Sequence, residues 1–212
     1  MKLRISGKPV LFIIVLFTML FSVNFVNAAG KINLTVVGLY SETTDAAYIS
    51  YRVGTGSWKV IKIGDVVPNE AEISVSVDRD WIELIPSNNP NIVYELIGSD
   101  KQVIKKVTDI LNGKSRTVAF PKTGTTDPKF TNKMVVKQYL GRQTYRKDAN
   151  SPMIDIKYGT VLDATGTVNI IAINNTINLV FANGKETQVV GPLKFTIDKL
   201  LKGENLYKIL KG

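Results

Sequence analysis

The chain has 212 residues, with 27 Lys and Arg against 18 Asp and Glu, two Trp, and neither His nor Cys. The missing residue types exclude Ser-His-Asp and Cys-His catalysis, histidine general bases, the usual zinc sites and disulfides. A formal net charge of +9 raises a polyanion as a partner, but the excess is local: net −3 over residues 29–113, +7 over 114–150 and +2 over 151–212.

At the N-terminus, Lys2, Arg4 and Lys8 precede an apolar run over residues 10–26 that only Thr18, Ser22 and Asn24 interrupt. Val26-Asn27-Ala28 then places small residues where a signal peptidase reads. The pattern is that of a secretory signal peptide cleaved after Ala28, which leaves a mature net charge of +6. The alternative is an uncleaved anchor, since a run of 17 residues lies at the lower edge of a membrane span. Export without cysteine points to a bacterial periplasm or envelope, and it argues against nucleic acid as a partner.

Residues 32–39 read as a first strand. Residues 47–53 alternate, and Gly54-Thr55-Gly56-Ser57 turns the chain into 58–63, a hairpin pattern. Gly64-Asp65 is a turn. Ile73, Val75 and Val77 alternate with Ser74, Ser76 and Asp78, the cleanest half-buried strand in the chain. Asp78-Arg79-Asp80 turns into a strand over 81–85, and residues 92–97 form another. Over 99–111 the period changes: Val103, Ile104, Val107, Ile110 and Leu111 share one helical face, with Ser99 and Gln102 spaced as a capping box and Gly113 as the C-terminal cap.

Residues 114–132 hold Pro121, Gly124 and Pro128 among Thr and Lys, and read as a basic linker. Strands follow over 130–140, 143–147, 153–157, 168–173, 176–181 and 187–190, with turns at 148–151, Asn174-Asn175 and Asn183-Gly184. Gly191-Pro192 leads to a short helix over 197–201, and residues 204–210 add a further helical turn.

These two runs match one another. A shift of 95 positions lays Gly64 on Gly159, Val67 on Leu162, Ile73 on Val168, Val75 on Ile170, Ile82 on Ile177 and Leu84 on Leu179, without a gap. Upstream, Tyr51-Arg52 and Tyr145-Arg146 each precede a turn. Downstream, residues 107–113 match 197–203. A duplication of this kind sets the architecture of the whole chain.

Few groups are left for chemistry. Asp78 and Asp80, with Glu83 nearby, have the residue types of a calcium site or a carboxylate pair. The matching positions hold Ile173, Asn175 and Asn178, so turn formation and solvation are expected instead. Trp58 and Trp81 have the form of a sugar-stacking platform, but they occupy core positions of the repeat, which favours packing. The candidate binding residues are Trp58 and Trp81, with Arg142, Tyr145, Arg146 and Lys147 of the basic stretch. No catalytic residue, metal or cofactor is expected.

Trp58, Ile61, Lys62, Gly64, Asp65, Val66 and Val67, followed by the alternating Ile73 and Val75 and by Ile82-Glu83-Leu84, resemble the FecR-type extracytoplasmic domain. In the second half Ile156, Gly159, Val161, Leu162, Val168, Ile170, Ile177 and Leu179 carry the likeness, with the Asn183-Gly184 hairpin and the Gly191-Pro192 exit. The resemblance implies a non-catalytic, all-β periplasmic module. In the regulator subgroup such domains relay an iron-transport signal to a sigma factor. This sequence lacks the cytoplasmic segment those regulators carry before their span, so the signalling role is not implied, and no site residue carries over.

The expectation is an all-β, mainly antiparallel protein. It has a signal peptide (1–28), two tandem small barrel or sandwich modules (29–113 and 133–212), each closed by a short helix, and a basic linker (114–132). Its expected function is to bind another envelope protein through the duplicated modules. The alternative is glycan or cell-wall binding by Trp58, Trp81 and the basic segment, with an anionic wall polymer as ligand. Self-association through exposed edge strands is compatible with either, and membrane contact is expected only through an uncleaved signal.

Overall fold

The first strand, β1 (Leu34–Tyr40), is bulged, and that irregularity organises the sheet around it. In the computed structural model, which describes residues 31–41, 49–76 and 79–204, β1 runs antiparallel to β6 (Trp81–Pro86), and the register slips between Val36 and Gly38. One extra residue there bends the strand and lets its other edge change partner. Leu34 and Thr35 pair with β4 (Val66–Val67), and Gly38 and Leu39 pair in parallel with Tyr139 and Leu140 of β10 (Lys133–Leu140). β10 repeats the scheme. It slips between Val136 and Gln138 against β15 (Thr176–Phe181), and its early residues pair with β13 (Val161–Asp163).

β7 (Ile92–Ile97) and β9 (Ser115–Thr117) extend this sheet beyond β6, and β16 (Glu186–Val190) extends it beyond β15, giving nine strands. Each half adds a four-stranded sheet. The first has the order β3 (Lys59–Val60), β2 (Ile49–Val53), β5 (Ala71–Val75), β8 (Val103–Lys106). The second has the order β12 (Ile154–Asp155), β11 (Gln143–Arg146), β14 (Thr167–Ile170), β17 (Leu193–Thr196). Short helices α1 (Val107–Leu111) and α2 (Ile197–Leu201) follow β8 and β17. The fold is all-β, as the alternation predicts.

The correspondence between the halves extends to single hydrogen bonds. The Gly64 N–H donates to the Val36 carbonyl at 2.9 Å, and the Gly159 N–H to that of Val136 at 2.7 Å. The Ile61 N–H donates to Ile49 at 3.0 Å, and the Ile156 N–H to Gln143 at 2.9 Å. Gly64 and Gly159 have φ of 86° and 78°, a left-handed turn that glycine takes without strain.

The described residues from Asn33 onward form one compact unit. On the first-half portion of the large sheet, Leu34, Val36, Ile82, Leu84 and Leu96 pack with Ile49, Ile73 and Val75 of the small sheet. Val37, Trp81, Ile85 and Val93 join the core of the second half, with Tyr139, Ile156 and Tyr158. The face of β6 that an isolated module would show to water is thereby covered.

Several expected elements differ. Residues 103–106 are strand, not helix: Val103 and Ile104 pair with Val75 and Ser74, and only Val107–Leu111 is helical. An apolar spacing of one and four residues suits a strand running into one helical turn as well as it suits a helix, and the open edge of β5 decides between them. Gln102 donates to the Ser74 hydroxyl at 2.8 Å and does not cap a helix. The expected linker carries β9, buries Val118 and Pro121 and, after a 3-10 turn at Pro128–Phe130, buries Phe130. The strand expected over 168–173 ends at Ile170. The signal segment, Asp78 and the helical turn expected beyond residue 204 lie outside the described residues.

Candidate functional site

Two places gather polar side chains. The first lies at the junction of the halves. Trp81, Glu83 and Ile85 alternate with Ile82 and Leu84 along β6 and so share a face. Glu83 is fully buried. One carboxylate oxygen accepts from the Arg116 guanidinium at 2.5 Å and the other from the Tyr158 backbone N–H at 2.8 Å. Glu95, directly opposite on β7, is paired with Lys157. The Trp81 indole N–H donates to the Tyr139 hydroxyl at 2.7 Å, and the Tyr40 ring lies 4.3 Å from that of Trp81.

Burial pushes the Tyr139 phenol well above its ordinary range, and the nearby Glu83 charge adds to the shift. The Tyr158 phenol rises to about 12, chiefly through burial, with Arg116 opposing and Glu83 reinforcing. Both phenols stay neutral at physiological pH. Glu83 is enclosed and Glu95 is taken up by Lys157, so these ion pairs fasten β6 and β7 to β9 and to the second half.

The second place is the outward face of the two small sheets. In the first half, Arg52 donates twice to the Glu72 carboxylate, at 3.0 and 2.9 Å, and its guanidinium lies 4.6 Å from the centre of the Trp58 ring. Trp58 is 37% exposed. In the second half, Arg146, Thr167 and Met153 occupy the places of Arg52, Glu72 and Trp58. Among the described residues, no carboxylate pairs with Arg146 there. A groove of about 330 Å³ opens over this face, lined by Thr144, Arg146, Met153, Thr167, Asn169 and Lys194, with Asp148 at its rim.

The expected binding residues are thus dispersed. Trp58 flanks β3 on one sheet and Trp81 begins β6 on another, so they form no common platform. Trp81 is half-buried, as its core position predicts, and Trp58 stacks on Arg52 at the surface. Tyr145 is a core residue, 4% exposed, whose hydroxyl accepts from the Asp163 N–H at 3.0 Å; burial raises its pKa. Its pairing with Val168 puts it on the inner face, opposite to Arg146. Arg142 is ion-paired with Asp155 at 2.8 Å, and Lys147 lies 3.7 Å from Asp163. Of the six, Arg146 alone lines the groove.

Asp80 and Glu83 are both fully buried, which overturns their expected solvation; the Asp80 carboxylate accepts from the Ser41 hydroxyl at 3.0 Å. Among the described residues, no group of three or more acidic side chains is placed to hold a metal ion. Sequence reasoning missed Arg116, Tyr139 and Tyr158 at the junction, and Asn169 and Lys194 in the groove. The available signal was the mismatch between halves: Glu83 against Asn178, and Glu72 against Thr167. Neither a family model, nor a curated protein, nor a solved structure matches the chain.

Proposed function

We propose that this protein is a non-catalytic binding protein of a bacterial envelope, exported by its N-terminal signal, built by duplication of one FecR-like β module, and engaging another envelope protein. The observation that carries this reading is the second-half turn after β14. Ile171 is 50% and Ile173 is 73% exposed, and Val190 on the adjoining β16 is 37% exposed. At the positions matching Ile171 and Ile173 the first half has Ser76 and Asp78, while the position matching Val190 holds Ile97, 52% exposed. Single surface hydrophobics are ordinary, but three in neighbouring positions form a patch that favours a partner.

Among the described strands β16 pairs only with β15, so its outer edge supports strand addition by a partner's backbone. The absence of His and Cys, and the enclosure of Glu83 and Asp80, support binding over catalysis. The test is crosslinking in cells from a photoreactive residue at position 173, with position 76 as control, followed by mass spectrometry. One stoichiometric envelope protein captured from 173 and not from 76 supports the reading. Capture of wall polymer without protein favours the glycan alternative, and equal yields from both positions defeat the proposed surface.

A further inference from the structure

The groove over β11, β14 and β17 differs from its first-half counterpart in one decisive position. Arg52 on β2 is neutralised by Glu72 on β5, whereas Arg146 on β11 faces Thr167 on β14, the equivalent pair of strands. Among the described residues, the side chains of Arg146 and Lys194 make neither an ion pair nor a hydrogen bond, and both line the groove. Two unneutralised cations, Arg146 on β11 and Lys194 on β17, flank β14 from either side and attract an anionic group between them. Arginine takes a carboxylate through two parallel N–H donors, which fixes orientation as well as charge.

The floor supplies a different chemistry. Thr144 is 6% exposed and its hydroxyl oxygen has no hydrogen-bond partner. A buried polar atom without a partner is costly, and an incoming hydroxyl removes that cost. Asn169 pairs directly with both Thr144 and Lys194 across the sheet, so amide, hydroxyl and ammonium stand in one row. Met153, 56% exposed, gives the groove an apolar wall.

Asp148 stands at the rim, its carboxylate accepting from the Asn150 and Ser151 N–H groups at 2.9 Å. A carboxylate there repels any anion that reaches that end and accepts from hydroxyl groups, so it favours a ligand whose acid lies by Arg146 and Lys194 and whose hydroxyls face Asp148. The volume, about 330 Å³, lies at the small end of ligand pockets.

We propose that this groove binds an acidic sugar unit. Arg146 and Lys194 hold its carboxylate, Thr144, Thr167 and Asn169 meet its hydroxyls, and Met153 covers its apolar ring face. Sugar binding here does not require the protein-binding surface at Ile173.

The test is titration calorimetry of the mature chain with short oligogalacturonate, its methyl ester and inorganic phosphate. Oligogalacturonate is expected to bind and the methyl ester and phosphate are not. Thr167→Glu reproduces the Arg52–Glu72 pair in the second half. It and Arg146→Gln are expected to weaken binding by about ten- to a hundredfold, the ratio for one charge-assisted partner, with unchanged thermal unfolding. Amide shifts in the unmutated protein, expected at Thr144 and Asn169, locate the site even if a variant fails to fold. Binding of the methyl ester or of phosphate as tightly as the acid overturns the proposal. So does the absence of binding by the acid, or a shift pattern confined to other residues.

Discussion

Glu83 and Glu95 stand directly opposite each other on β6 and β7, and each is held by a cation from beyond its own strand. Like charges in that position repel. Arg116 comes from β9, in the stretch expected to be a linker, and Lys157 comes from the turn of the second half. The pair therefore ties three parts of the chain together, and it explains how a buried carboxylate is tolerated.

Replacing Arg116 by Met takes the cation from the enclosed Glu83 and leaves it the Tyr158 N–H as a partner. The expected loss is about 3 kcal/mol, the low end for breaking a buried pair, because the Arg116 side chain itself reaches solvent. Adding Glu83→Gln removes the stranded carboxyl group and is expected to recover part of that loss. Urea denaturation of the two single variants and the double variant measures the coupling; strict additivity counts against the pairing.

Alkaline pH is expected to loosen the same junction. Tyr158 titrates near 12 in the folded chain against 10.0 for an ordinary phenol. The folded value is raised, so its contribution is fully present below pH 10 and is lost as pH climbs through 12. Tyr139 shifts in the same direction. Stability measured against pH is expected to fall across that window, and Tyr158→Phe is expected to flatten the fall. An unchanged slope in the variant assigns the effect to other groups.

Gly38 lies against the Tyr139 ring, and a Cβ there falls 2.4 Å from Cε1. Tyr139 is fully buried and cannot yield freely. Gly38→Ala is expected to destabilise by about 1–3 kcal/mol, the usual range for overpacking a core. Because the strain sits where β1 meets β10, hydrogen exchange is expected to quicken in both strands. Faster exchange in β1 alone argues against a shared junction.

A chain ending at residue 113 is expected not to fold by itself. Its β6 would expose Trp81, Glu83 and Ile85, and Glu83 would lose both Arg116 and the Tyr158 N–H. Circular dichroism and dye binding on that fragment decide the matter. A cooperative thermal transition shows that the first half is self-sufficient.

Arg146 and Tyr145 show how far the candidate site could be read from sequence. Both stand out in the sequence as basic or aromatic residues beside a turn. The pairing register then places one in the groove and the other in the core. Successive strand residues point to opposite faces, so only one neighbour of such a pair can line a given surface. Lys194 and Asn169 carry no local mark; they join Arg146 because β14 and β17 lie beside β11.

The sequence by itself determined the strand-rich class, through apolar alternation between Gly and Asn turns. It also determined the matching of residues 58–84 with 153–179, through apolar and glycine positions that local geometry requires. It ruled out histidine and thiol chemistry by composition. Only the tertiary structure decided that β1 and β10 run side by side, that residues 103–106 become an edge strand, and that Glu83 is enclosed. The reason is physical. Side-chain periodicity dictates which residues share a face, but what covers that face depends on groups far away in the chain. A glutamate between Trp81 and Ile85 reads as solvated until Arg116 and Tyr158 arrive to hold it.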